Sequence, residues 1–203
     1  MKIIRQFAIV GAILVGLILT PQALGQDGDS VEFSTMTDVR AEQEAAKAQQ
    51  MARLVGEYDL ERWTFTREIV IESGAIPHSH PVLTLSTRGL DNDDASLATY
   101  IHEQLHWYLG SYEDEVSAAK AALSEIYPDL PIRGGQGARN EDSNYLHLIV
   151  NALEYRAIEE LFGTERALAV LDSYRHYQAL YDIILNDIER VEAVMAEHGI
   201  AHP

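Results

Sequence analysis

The spacing of apolar and polar residues changes along the chain, and each change marks an element. Residues 37–56 carry Ala, Gln, Glu and Lys and read as a helix, with Thr37 or Asp38 as its N-cap and Gly56 as its stop. Residues 62–72 are rich in β-branched and aromatic types and read as a strand, and Val82 to Thr87 reads as a second. Between them Gly74, Pro77 and Pro81 make a turn or loop, which suits a hairpin with a long connection. From residue 91 onward the pattern becomes helical. Asp91-Asn92-Asp93-Asp94 places negative charge where the positive end of a helix belongs. That helix should run from about Asp94 to Leu109, with Gly110 as its stop. A second should span about 113–126, ended by Pro128 and Pro131, and a third 142–162, closed by Gly163. Residues 164–198 give one or two more, ended by Gly199. Residues 131–140 form a flexible glycine-rich loop carrying Arg133 and Arg139, and the polar segment 26–36 is expected to be mobile. The expected class is α+β and mostly helical: a small β-hairpin or short sheet, then a helix bearing the chemistry, then a helical C-terminal half.

Residues 1–25 differ from the rest. Lys2 and Arg5 precede an apolar run from Phe7 to Leu19, followed by Ala23-Leu24-Gly25, the pattern of an export signal cleaved before Gln26. The run is shorter than the roughly 20 residues that span a bilayer. The expectation is therefore an exported protein, periplasmic or secreted, with no integral span after cleavage; an uncleaved membrane anchor is the alternative. The remainder divides into a polar segment and helix, 26–61, and a domain over 62–203.

Composition narrows the chemistry. An apolar fraction of 47% supports a core, and 15 basic against 32 acidic side chains leave a net charge of -17. That balance argues against nucleic acid as a partner, because neutralising phosphates takes Lys and Arg. With no cysteine, disulfides, thiolate metal sites and cysteine nucleophiles are excluded. Any metal must be held by His, Asp or Glu.

His102-Glu103-Gln104-Leu105-His106 is an HExxH motif inside a predicted helix. Histidines at i and i+4 project from one face, where both imidazoles can reach one ion at about 2 Å. Glu103 can then lie beside an activated water and take its proton as the water attacks a carbonyl. Such a motif arises by chance in about 3 of 100 sequences of this composition, and its helical setting lowers that further. Imidazole ligands without a redox partner point to zinc.

His102, Glu103 and His106, with a strand just before their helix, resemble the zincin metallopeptidases, and the likeness in element order spans about residues 62–160. The resemblance implies zinc on His102 and His106, Glu103 as general base, and a peptide or protein substrate. The metzincin pattern fails, since Leu109 and Tyr112 stand where it needs Gly and His. The gluzincin pattern takes a Glu from a later helix, and Glu154 fits that place loosely, with Leu153 and Ile158 where the thermolysin-like form has Asn and Asp. The segment from Tyr145 to Glu154 is also similar to an uncharacterised family of small bacterial zincin-like proteins. His147 is the alternative third ligand. It shares a helical face with Glu154 but lies about 10 Å from it along the axis, so one would bind metal and the other line the cleft or orient a ligand histidine. Glu113, Asp114 and Glu115 are more distant candidates, and Glu154 can instead be a salt-bridged surface residue beside Arg156 or Arg139.

Weaker features remain. His78 and His80 form an HxH in a Pro-flanked loop, either a metal pair or solvated. His176, with Tyr174, Tyr177 and Tyr181, either polarises a substrate carbonyl or forms an amphipathic face. Tyr155 either donates to an oxyanion or packs in the core, as one of Trp107 and Tyr108 should. Arg133 and Arg139 either meet an acidic substrate or are solvated. Two functions follow: an exported zinc-dependent metallohydrolase acting on peptides, or a non-catalytic exported zinc-binding or helical interaction protein whose motif is structural or a relic.

Overall fold

The computed structural model describes residues 32–35 and 40–203. The order is strand β1 (Glu32–Thr35), helix α1 (Ala41–Glu57), a 3-10 turn (Glu61–Trp63), strands β2 (Glu68–Ile71) and β3 (Leu83–Leu85), and helices α2 (Asp93–Leu109), α3 (Glu113–Ile126), α4 (Glu141–Phe162), α5 (Thr164–Ser173) and α6 (Gln178–Glu197). The export-signal segment and the caps Thr37 and Asp38 lie outside the described residues; Arg40 holds the N-cap position of α1. Residues 40–203 belong to one compact unit.

The mostly helical α+β class holds, but the hairpin does not. The three strands lie in the order β1-β2-β3 and are parallel, with Ile69 opposite Leu83 and Ile71 opposite Leu85. The chain reverses twice between β2 and β3, and two reversals restore the direction. The first is at Gly74, whose φ of +86° suits glycine. The second is at an antiparallel bridge in which His78 and Thr84 exchange backbone hydrogen bonds of 3.1 and 2.8 Å. Part of the segment expected to be mobile, Glu32–Thr35, is the strand that pairs with β2.

The long strand expected over 62–72 is also cut short. Gln104 of α2, fully buried, accepts from the backbone N–H of Phe65 and Thr66 at 2.7 and 2.8 Å and donates to the Thr66 carbonyl at 2.7 Å. A side chain thus satisfies the backbone groups that a neighbouring strand would have taken.

Helix limits follow local chemistry closely. Asn92 caps α2 by accepting from Ala95 N–H at 3.0 Å, and Asn140 caps α4 through Ser143 N–H at 2.8 Å. α2 ends at Gly110 and α4 at Gly163. α4 is the central helix and packs on α2, α3, α5 and α6. Leu97, Ala98, Ile101 and Leu105 of α2 and Leu148, Ile149, Ala152 and Leu153 of α4 are at most 1% exposed. Burying the leucines and isoleucines among them, at about 1.5–3 kcal/mol each, sets the two helices face to face. α1 is held by polar contacts as well. Lys47 donates to Gln50 Oε1, the Arg88 carbonyl and Ser96 Oγ, and Gln50 donates to the Gly89 carbonyl and Asp93. Among the described residues no helix is long and apolar enough to cross a membrane.

Candidate metal centre

α2 and α4 bring His102, His106 and His147 together, with one ring nitrogen of each within 4.8 Å of the others. Their ring centroids form a near-equilateral triangle of 5.2, 5.6 and 5.2 Å. Rings bound through nitrogen at about 2 Å would have centres about 5.2 Å apart around a tetrahedral ion, so the donor set fits zinc in geometry and in chemistry. Two rings are already oriented. His102 Nδ1 hydrogen-bonds to Glu154 Oε2 at 2.8 Å, and His147 Nδ1 to the Ser143 carbonyl at 2.7 Å. Each of these two rings therefore leaves Nε2 for the ion.

Glu154, expected as third ligand, instead stands behind His102. It is fully buried, and its carboxylate accepts from Tyr174 at 2.9 Å and Tyr181 at 2.7 Å as well as pairing with His102. The alternative, His147, occupies the third corner. The axial offset between the two on α4 separates the roles: His147 is level with the His102–His106 pair, and Glu154 reaches only the far nitrogen of His102. Neither Arg156 nor Arg139 holds Glu154; Arg156 pairs with Glu159 and Glu192. Glu113, Asp114 and Glu115 are exposed in the first turn of α3 and stay out of the cluster.

Burial sets the protonation of these groups. Desolvation, with the neighbouring histidines, pulls His106 well below its usual range and His147 down to about 4, so both rings are neutral donors near pH 7. His102 is pushed down by burial, but the charge and hydrogen bond of Glu154 outweigh this and its pKa is raised. Glu103, 6% exposed, is raised by desolvation, opposed by His102 and His78. Tyr174 and Tyr181 are raised by burial and by Glu154, and stay protonated donors.

Two cavities meet at this centre. One of about 590 Å³ is lined by His78, His80, Glu103 and all three clustered histidines, and one of about 660 Å³ by His102, Glu103, Glu154 and His176. Tyr177 lines both, its ring 4.3 Å from that of His147, with φ +54° at the N-cap of α6. A left-handed backbone at a bulky residue is strained and is tolerated where surrounding structure fixes it. The HxH loop is exposed and outside the histidine triangle. It is anchored by Trp107, which donates to the Ser79 carbonyl at 2.8 Å and stacks on His80. Tyr155 is buried and turned to Glu159, not to the centre.

Sequence reasoning missed three supports. Gln104 fixes the motif helix from within the motif. Asn144 ties the glycine-rich loop to α4, accepting from Ala138 N–H at 2.6 Å and donating to the Pro131 carbonyl at 3.0 Å. Asn151, one turn from His147, is fully buried, and neither amide atom has a partner among the described residues. A polar residue on an otherwise apolar helix face was the available signal for Asn144 and Asn151. No family model, curated protein or solved structure matches the chain.

Proposed function

We propose that this chain is a zinc-dependent metallohydrolase of zincin type that cleaves peptide bonds. The observation that carries the reading is the histidine triangle of His102, His106 and His147 with Glu103 beside it in the same cleft. Zinc bound there would polarise the scissile carbonyl and activate a water. Glu103 is the general base: its buried carboxyl, raised by desolvation, takes the proton of the attacking water and passes it to the leaving amine. Glu154 is a positioning residue, fixing the ring of His102. The Tyr177 phenol, raised by burial, remains a proton donor at the junction of both cavities, where an oxyanion would form. Three protein ligands on a cleft suit a catalytic site better than a structural one, which four protein ligands normally close. The reading includes export by residues 1–25, so N-terminal sequencing of the secreted protein should begin at Gln26.

Elemental analysis after zinc loading and dialysis tests the centre. One zinc per chain is expected, lost in His102→Ala and His147→Ala. Glu103→Gln should keep its zinc and lose hydrolysis of an unstructured protein such as casein. A protein that takes up no zinc overturns the metal centre, and hydrolysis retained in Glu103→Gln overturns the general base.

A further inference from the structure

The arginines of this acidic chain are unevenly paired. Arg53, Arg62, Arg67, Arg156 and Arg166 are each held by a carboxylate at 3.1 Å or less. Among the described residues no carboxylate pairs with Arg88, Arg133, Arg139 or Arg175, although acidic side chains outnumber basic ones 32 to 15. These four line the 660 Å³ cavity beside the histidine centre, and all four are exposed. Among the described residues the acidic ones on its lining are Glu103 and Glu154, both deep at the centre. Arg139 lines the second cavity too, so it stands where the two meet.

The backbone that carries the arginines is fixed before any ligand arrives. Asn144 clamps both ends of the 131–138 loop. The loop in turn accepts from the start of α6, with Gln178 N–H on the Gly135 carbonyl and Ala179 N–H on the Gln136 carbonyl, both at 3.0 Å. Gly135 lies so close to the next segment that a Cβ there would sit 2.8 Å from the Arg175 carbonyl oxygen. Arg133, Arg139 and Arg175 are thus displayed from two segments locked to each other, and Arg88 from the loop that Lys47 grips at its carbonyl. Arg133 and Arg175 each spend a nitrogen on backbone carbonyls, and charged, exposed guanidinium groups without a carboxylate partner match carboxylates in forked hydrogen bonds. A mainly negative surface with a positive mouth also concentrates anions there.

We propose that this cavity is the substrate-binding half of the cleft and selects peptides carrying carboxylates next to the scissile bond. The proposal rests on the peptidase reading and names its substrate class. The carboxylate can be an Asp or Glu side chain or a free C-terminus. Both offer the same chemistry to the arginines.

The test measures binding apart from cleavage. Zinc-loaded Glu103→Gln protein is titrated, by fluorescence anisotropy, with labelled decapeptides rich in Glu and with their Gln counterparts, each with a free and an amidated C-terminus. The expected result is at least roughly tenfold tighter binding of the Glu peptides, weakened by salt and abolished by adding Arg133→Gln and Arg139→Gln. If only the free C-terminus matters, the carboxylate recognised is terminal; if Glu matters in both forms, it is a side chain. Equal affinities for all four peptides, no binding of any, or a preference untouched by the arginine changes would overturn the proposal. Wild-type cleavage of the same peptides is read by mass spectrometry. Cleavage without preference sinks the substrate class alone, while acidic preference without cleavage sinks the peptidase reading and leaves only a carboxylate-binding cavity.

Discussion

The two ring nitrogens of His102 are distinguished by one hydrogen bond. The carboxylate of Glu154 takes Nδ1 and so fixes which nitrogen would face an ion. Glu154→Gln keeps an acceptor but removes the charge, and should weaken zinc binding about 10–100-fold in chelator competition with the fold intact by circular dichroism. Unchanged affinity would mean that the pair does not tune the metal. Asn151 gives a prediction of opposite sign. Among the described residues its two buried amide atoms have no partner, and each such atom costs about 1–3 kcal/mol. Asn151→Leu, of similar shape, should leave the protein at least as stable in urea unfolding, and a loss of about 1 kcal/mol or more would reveal a partner. His102, Glu103 and His106 were legible because their relation is set by one turn of one helix. The third corner of the triangle was not. His147 and Glu154 share a face of α4, and only the level at which α2 crosses that helix decides which of them joins the two motif histidines and which stands behind His102.

Among the elements, the glycine-rich loop is pinned rather than flexible, which its composition concealed. A Cβ at Gly137 would lie well inside contact distance of the Pro131 carbonyl and 2.7 Å from Asn144 Oδ1. Gly137→Ala should cost about 1–3 kcal/mol, detectable as a lowered urea midpoint, and should loosen the start of α6 in hydrogen exchange. A second prediction belongs to α1. Burial lowers Lys47 from 10.5 to about 8, opposed by Asp93. Between those values the unfolded chain binds a proton that the folded chain has released, so this group's contribution to stability rises as pH goes from about 8 to 10.5. Urea midpoints at pH 8 and pH 10 should show that rise, and Lys47→Met should reduce it; an identical slope in both would refute the assignment. Helix ends were legible from the acidic run at 91–94 and from Gly110 and Gly163 because such signals are local, whereas the cap Asn140 went unread. Strand direction was not, since it turns on counting two reversals. The strand expected over 62–72 failed because Gln104, distant in sequence, took its hydrogen bonds.

For the whole molecule, an ion on these ligands would tie α2 to α4, two helices with α3 and two loops between them. Anything bound to the folded state alone stabilises it by mass action. At a free zinc concentration about 1,000 times Kd the gain is about 4 kcal/mol, or roughly 8–16 °C in Tm for a chain of this size. Thermal scans with zinc and with a chelator should differ by that order, and the difference should vanish in His147→Ala. An equal shift in that variant would place the metal elsewhere. The anchoring of Gln104 also bears on how relatives of this chain would be found. In the consensus form of the motif the two inner letters are free, but here the first of them holds the backbone before β2. The spelling that belongs to this architecture is then H-E-Q-apolar-H, followed on a later helix by Asn, His and Glu at the offsets of 144, 147 and 154. A chain carrying those letters on two helices packed as α2 and α4 are should bring the same side chains together, an arrangement that HExxH alone does not specify.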